Sequence, residues 1–265
     1  MHTPMHTPIR VGLIVPSSNV TMETEIPAML RAREQVAPER FTFHSARMRM
    51  KQVTPEELAA MDADSERAAA ELADARVDVM GYACLVAIMS QGHGYHRTSE
   101  ERLGRVAREE TGGDLPIVSS AGALVEALEH LDARKVAVLT PYMKPLTATV
   151  CSYIENEDIE VVDSISREEP DNLKVGQLDQ DELIRLAGEV DTTDADALVI
   201  SACVQMPSLR ALAEVQRRSP IPVVSAASAT VWKMLRELDL DPVVPEAGAL
   251  LGQPLGQAVA QAVSR

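Results

Sequence analysis

The chain has 265 residues, 46% of them hydrophobic, 25% charged and only 3% aromatic, which suits one large globular domain or two small ones with cores built from aliphatic side chains. A formal net charge of −15 leaves no electrostatic footprint for nucleic acid or an anionic membrane, so neither is expected as a partner. No apolar run approaches the ~18–20 residues of a membrane helix, the opening MHTPMHTPIR lacks the apolar stretch of a signal peptide, and the three spread-out cysteines Cys84, Cys151 and Cys203 make a poor disulfide framework; the expected location is the cytoplasm. The doubled MHTP is read as a tail or an alternative start at Met5.

In chain order, short apolar runs alternate with amphipathic helical patterns. Strands are expected at Ile9–Val15, Phe41–Met48, Val77–Gly81, Ile117–Val118, Lys135–Thr140, Ile159–Ser164, Ala197–Ser201 and Pro222–Val224. Helical patterns occupy Pro55–Ala75, Ser99–Thr111, Ala121–Leu131, Leu146–Ile154, Gln180–Val190, Ser208–Arg218 and Ala229–Leu238. Thr54-Pro55 reads as an N-cap followed by proline at the first helical position. Thr98 with Glu101 fits a capping box opening the next helix. The alternation predicts βαβ units and parallel sheets covered on both faces.

A repeat refines this. Leu115-Pro116-Ile117-Val118-Ser119-Ser120-Ala121 matches Ile221-Pro222-Val223-Val224-Ser225-Ala226-Ala227 in character, position by position. Each segment follows a strand–cysteine segment. Upstream, Val11–Val15 leads into Pro16-Ser17-Ser18-Asn19, and Val136–Thr140 leads into Pro141-Tyr142. The expected fold is therefore α/β, two similar Rossmann-like halves with parallel sheets and the active site in the cleft between them. The halves are assigned as 1–118 plus 226–265, and 119–225.

Ligands of open α/β sheets bind at the carboxyl ends of the strands. Cys84 follows the strand Val77–Gly81, and Cys203 follows Ala197–Ser201. Two thiols are thus expected at equivalent lips of two facing halves. A lone buried cysteine is ordinarily an apolar filler, and Cys151, inside a helical pattern, is read that way. The equivalence of the other two argues for chemistry. A thiol with pKa about 8.5 becomes a strong soft nucleophile when nearby N–H dipoles favour the thiolate. One cysteine can attack or deprotonate one face of a planar carbon while the other delivers a proton from the opposite face. No metal or organic cofactor is expected, because a substrate carboxylate can delocalise the developing charge. Such an anion, in so acidic a protein, must be held by backbone N–H groups and neutral side chains.

Other signals are weak. Ser17, Ser18 and Asn19, then Thr140 and Tyr142, and Asn172 in a polar loop, offer neutral hydrogen-bonding groups that could equally serve turns and caps. His93 and His96 have no partner ligands at zinc spacing and are read as a turn. There is no phosphate-binding loop, no dinucleotide fingerprint and no nucleophile elbow. Trp232 reads as packing or interface. The weakly marked segment Gly92–Tyr95 is taken as the lid.

Two α/β halves with one cysteine each resemble the aspartate/glutamate racemase superfamily. Within it, Val11–Asn19 with Met22-Glu23-Thr24-Glu25, Tyr82–Met89 and Ala202–Leu209 resemble the maleate cis–trans isomerases over nearly the whole chain. Amino-acid racemases of this fold carry polar residues after each cysteine, whereas Leu85-Val86 and Val204-Gln205 stand here. Arylmalonate decarboxylases resemble the same fold but carry only the second cysteine. The resemblance implies addition of Cys84 to C2 of maleate, rotation about the resulting single bond and elimination to fumarate, with Cys203 moving the proton. It implies that Asn19, Tyr142 and Asn172 hold carboxylates, and that the N–H groups after the cysteines, at Leu85, Val86, Val204 and Gln205, form anion nests. A homodimer is the family expectation. A two-cysteine amino-acid or hydantoin racemase and a non-catalytic small-molecule-binding protein are the alternatives.

Overall fold

The computed structural model describes residues 7–252. The MHTP repeat up to residue 6, and the stretch 253–265 assigned to the first half, lie outside the described residues. The first part of the chain forms β1 (Ile9–Pro16), α1 (Met22–Arg33), β2 (Phe41–Met48), α2 (Pro55–Asp74), β3 (Val79–Tyr82), α3 (Leu85–Met89), α4 (Tyr95–Thr111), β4 (Ile117–Ser119) and α5 (Ser120–His130). The second forms β5 (Lys135–Thr140), α6 (Lys144–Glu155), β6 (Glu160–Ser166), α7 (Asn172–Val175), α8 (Gln180–Ala187), β7 (Ala197–Ser201), α9 (Leu209–Arg218), β8 (Val223–Ser225) and α10 (Ala226–Glu237). A short 3-10 turn, Ala249–Leu251, follows.

The strands make two four-stranded parallel sheets of identical order, β2-β1-β3-β4 and β6-β5-β7-β8. The α/β class and the twofold repeat are as expected. The inner strands β3 and β7 are buried throughout, because helices cover both faces. Strands β2 and β6 lie at edges and are half exposed. In each sheet the strand order reverses beside the first strand. The loops after β1 and β3, and after β5 and β7, therefore flank a crevice at the strands' carboxyl ends.

The sequence repeat has a local cause. Ser119 ends β4 and caps α5, accepting from the Gly122 N–H at 3.0 Å. Ser225 ends β8 and caps α10 in a capping box with Ser228. Each serine stops a strand and satisfies an orphan N–H of the next helix. Helices α5 and α10 pack against each other, and α10 also packs on β3, β4 and α1. A Cβ on Gly81 would lie 2.0 Å from Met234 Cε, so the Met234 side chain of α10 packs directly on the β3 backbone there.

Several expectations are corrected. Helix α4 begins at Tyr95, after Gly94 in the left-handed region (φ 70°). Thr98 is thus inside the helix, and no capping box forms there; tertiary contacts of Tyr95 and His96 hold the first turn. Asn172 does not sit in a polar loop: it is buried and opens α7, which is capped by Asp171. Segment 92–95, expected as the lid, packs against α6, where His93 lies 3.2 Å from Ser152. Among the described residues no helix is long and apolar enough to cross a membrane.

Candidate active site

Both cysteines follow their strands by two residues, Cys84 after Tyr82 and Cys203 after Ser201. They line one cavity of about 20 Å³ together with Pro16, Asn19, Met50, Val53, Val86, Tyr142, Asn172, Val204 and Gln205. The expected residues Asn19, Val86, Tyr142, Asn172, Val204 and Gln205 are thus brought together with the two thiols. Leu85 is buried in the core and does not line the cavity. As the first two residues of α3, Leu85 and Val86 have N–H groups outside the intrahelical ladder. Among the described residues no charged side chain lines the cavity, so an anion here would be held by dipoles. A larger groove of about 680 Å³ lies between α1 and α9 and contains neither thiol.

Cys84 occupies the N-cap position of α3 with φ 86° and ψ 66°. A non-glycine residue in this left-handed region is strained and persists only when its surroundings fix it. Burial pushes its thiol pKa up to about 12, against which only the Ala87 N–H works, while Cys203 and Asp62 raise it further. The Cys203 thiol is also raised by burial, but the Tyr142 hydroxyl and the Gln205 and Met206 N–H groups all favour its thiolate. The Tyr142 phenol is raised well above its ordinary value, first by burial and then by the two cysteines. It therefore stays protonated as a donor.

The two halves are bonded together around these thiols. Gln205 Nε2 donates to the carbonyls of Ser18 (3.0 Å) and Asn172 (2.8 Å), and its Oε1 accepts from the Val20 N–H at 2.9 Å. Its side chain is therefore a strut between halves, which leaves its main chain to face Cys203. Thr21 Oγ1 donates to the Gln205 carbonyl at 2.7 Å. Asn172 Nδ2 donates to Ser18 Oγ at 2.7 Å. Asn19 Oδ1 accepts from the N–H groups of Thr21 and Met22, both at 2.9 Å, and so caps α1. Ser201 Oγ donates to the Cys203 carbonyl at 2.8 Å and fixes the turn that carries the thiol.

Sequence reasoning missed two parts of this arrangement. Buried Glu25 accepts from the N–H groups of Ser208 and Leu209 at 2.6 and 2.7 Å, capping α9 from the other half. Met50 and Val53 wall the cavity from the loop between β2 and α2, which is held through Ser17 Oγ to the Met50 backbone and through Glu57 to the N–H groups of Lys51 and Gln52. The signal for that wall was available, because this loop also leaves the carboxyl end of a strand in the same sheet. His96 Nδ1 lies 2.6 Å from Tyr153 Oη, and no group of three or more potential metal ligands occurs among the described residues.

The arylmalonate decarboxylase family model matches residues 11–251. A maleate isomerase of Pseudomonas putida is 58% identical over 242 residues, covering 91% of this chain and 96% of that protein. The crystal structure of a cysteine-to-alanine maleate isomerase from another Pseudomonas putida strain, with maleate, is 60% identical, with a TM-score of 0.90 over 92% of this chain and 98% of that one. A cysteine-to-serine maleate cis–trans isomerase of Nocardia farcinica with a covalently bound succinylcysteine intermediate is 46% identical, with a TM-score of 0.89 over 94% of this chain and 100% of that one.

Proposed function

We infer that this chain, which belongs to the maleate isomerases within the arylmalonate decarboxylase family, isomerises maleate to fumarate through a succinylcysteine intermediate. The observation that carries the reading is the pair of equivalent thiols on one uncharged cavity. The Cys84 thiolate adds to C2 of maleate. The π electrons move to C3 and into its carboxylate, and the Cys203 thiol gives C3 its proton. The C2–C3 bond is then single and rotates. The Cys203 thiolate takes a proton back from C3, the double bond re-forms and the C–S bond breaks toward Cys84. Atoms, protons and electrons balance, and the only electron sink needed is the substrate's own carboxylate.

The unequal surroundings of the thiols support unequal roles. Three donors around Cys203 stabilise the thiolate left when it gives up a proton. Cys84 has one such donor, and a thiolate of high pKa is intrinsically more nucleophilic. Asn19, Tyr142 and Asn172, with the N–H groups at Leu85, Val86, Val204 and Gln205, are proposed as the carboxylate holders. The aliphatic Val86 and Val204 beside the thiols offer no partner for an α-amino group, which disfavours a racemase. A cavity of about 20 Å³ holds roughly one water, so the dicarboxylate enters only when the cavity walls open, and closure then excludes water.

Both thiols must stay free to act, which suits a reducing compartment. Cytoplasmic location and a homodimeric state are part of the proposal. So is the division into halves 1–118 plus 226–265 and 119–225, supported within the described residues by the packing of α10 on β3 and β4. The test is proton NMR of maleate incubated with the purified chain. The maleate vinyl signal should be replaced by that of fumarate, and Cys84→Ser should abolish the change. Fumarate formation at the wild-type rate by Cys84→Ser would overturn the reading.

A further inference from the structure

Below Cys84 lies a polar cluster that the reaction as written does not use. Asp62, on α2, is 4% exposed. Its Oδ1 accepts from Tyr82 Oη at 3.1 Å, and its Oδ2 accepts from Tyr95 Oη at 2.7 Å and from Arg102 Nη2 at 2.9 Å. Arg102 also donates to the Asp62 carbonyl at 3.0 Å and to Ser65 Oγ at 3.2 Å. Tyr82 is the last residue of β3, two before the thiol, and Tyr95 is the first residue of α4. One carboxylate therefore ties both ends of the segment that carries Cys84.

That segment needs outside anchors. It contains three residues with positive φ, Cys84 (86°), Gly92 (122°) and Gly94 (70°), around a helix of only five residues. Left-handed Cys84 has no favourable local reason for its conformation. A buried ion pair adds little net stability once its desolvation is counted, while removing one partner leaves an uncompensated charge.

We propose that Asp62 is a positioning residue for Cys84, one buried carboxylate that pins Tyr82 before the nucleophile and Tyr95 after it and so holds the strained thiol toward the cavity. The inference rests on the isomerase reading of the site. Losing this anchor would let Cys84 relax away from its line of attack. Small misplacements of a reacting atom cost rate rather than binding.

The experiment compares the full-length wild type with Asp62→Asn and Tyr95→Phe. It reads kcat and KM for maleate, the pH dependence of iodoacetamide alkylation at each cysteine by peptide mass spectrometry, and Tm. Asp62→Asn should lower kcat by about tenfold or more with KM within about threefold. It should also move the alkylation midpoint of Cys84 to lower pH, because Arg102 loses its counter-charge, while Cys151 is unaffected. Tyr95→Phe, which removes no charge, should lower kcat several-fold without moving that midpoint, and it carries the test alone if Asp62→Asn does not fold. Wild-type kcat in the folded variants overturns the proposal, as does a loss of kcat matched by faster alkylation of Cys151 and a fall in Tm, which would mark general loosening. If the wild type does not turn over maleate, the isomerase reading fails, and the alkylation arm still decides: a changed alkylation rate at Cys84 alone in Tyr95→Phe, which removes no charge, supports positioning, and a uniform or absent change of rate overturns it.

Discussion

Gln205 Nε2 lies 3.0 Å from the carbonyl oxygen of Ser18, so the residue two beyond Cys203 is bonded to the residue just before Asn19. The strut crosses between the halves, and its other bonds reach Val20 and Asn172. The position of Cys203 relative to the first half is therefore set by a buried carboxamide.

Replacing Gln205 by Ala strands the buried Ser18 and Asn172 carbonyls and the partly buried Val20 N–H. The expected cost is about 2–3 kcal/mol of stability, read as a lower urea midpoint. Turnover should fall further than that loss of stability accounts for, because the strut also sets the Cys203 backbone. A Gln205→Ala variant with wild-type kcat would show that the junction is held elsewhere.

Glu25 links the halves from the other side, through Ser208 and Leu209. Burial raises its pKa, against the opposing pull of those three hydrogen bonds. With the folded pKa above the unfolded one, the folded state binds the extra proton. The stabilisation from this group is then fully present at low pH and is lost as pH rises from the ordinary carboxylate value of 4.5 through the raised pKa. The stability of the wild type relative to Glu25→Gln, which does not titrate, should be larger near pH 5 than near pH 7 in urea denaturation. A constant difference would contradict the raised pKa.

Much of this organisation was legible in the sequence. The fold class follows from alternating periodicity, and the repeated Pro-to-Ser segment marks two strand ends with capping serines, Ser119 and Ser225. The thiols were found because their placement after β3 and β7 is equivalent, a one-dimensional fact. What the sequence hid were side chains whose partners lie far along the chain. Gln205 looked like a site residue for its main chain, while its side chain works at residues 18 and 20. Asp62 and Glu25 lie inside helices and look like surface charges until the opposite element is known. Segment 92–95 drew the lid reading through its turn signals, while Met50 and Val53, which line the cavity, sit in a loop with none as strong.

Cys84 holds φ 86°, a conformation glycine adopts without penalty and alanine does not. Cys84→Gly should be more stable than Cys84→Ala by about 1 kcal/mol, and both should be inactive. Equal thermal midpoints would mean that the strain is relieved in solution.

Because burial pushes the Cys84 thiol up to about 12, its thiolate is scarce at neutral pH. In the free enzyme, alkylation of Cys84 should climb with pH and still be rising at about pH 10, beyond where an ordinary thiol levels off. A plateau near pH 8 would show that Cys84 meets more donors than Ala87 alone.

The division of labour between the cysteines is tested most directly by mass spectrometry of Cys203→Ser incubated with maleate, with the modified peptide identified by proteolysis. Solvent can protonate C3 slowly after addition, but no thiolate remains at position 203 to take the proton back, so the cycle should stall after addition and leave one substrate mass on the peptide that contains Cys84, whereas Cys84→Ser should carry none. An adduct on Cys203 in the Cys84→Ser protein, or an unmodified Cys84 in a Cys203→Ser protein that still turns over, would contradict the assignment of Cys84 as the nucleophile.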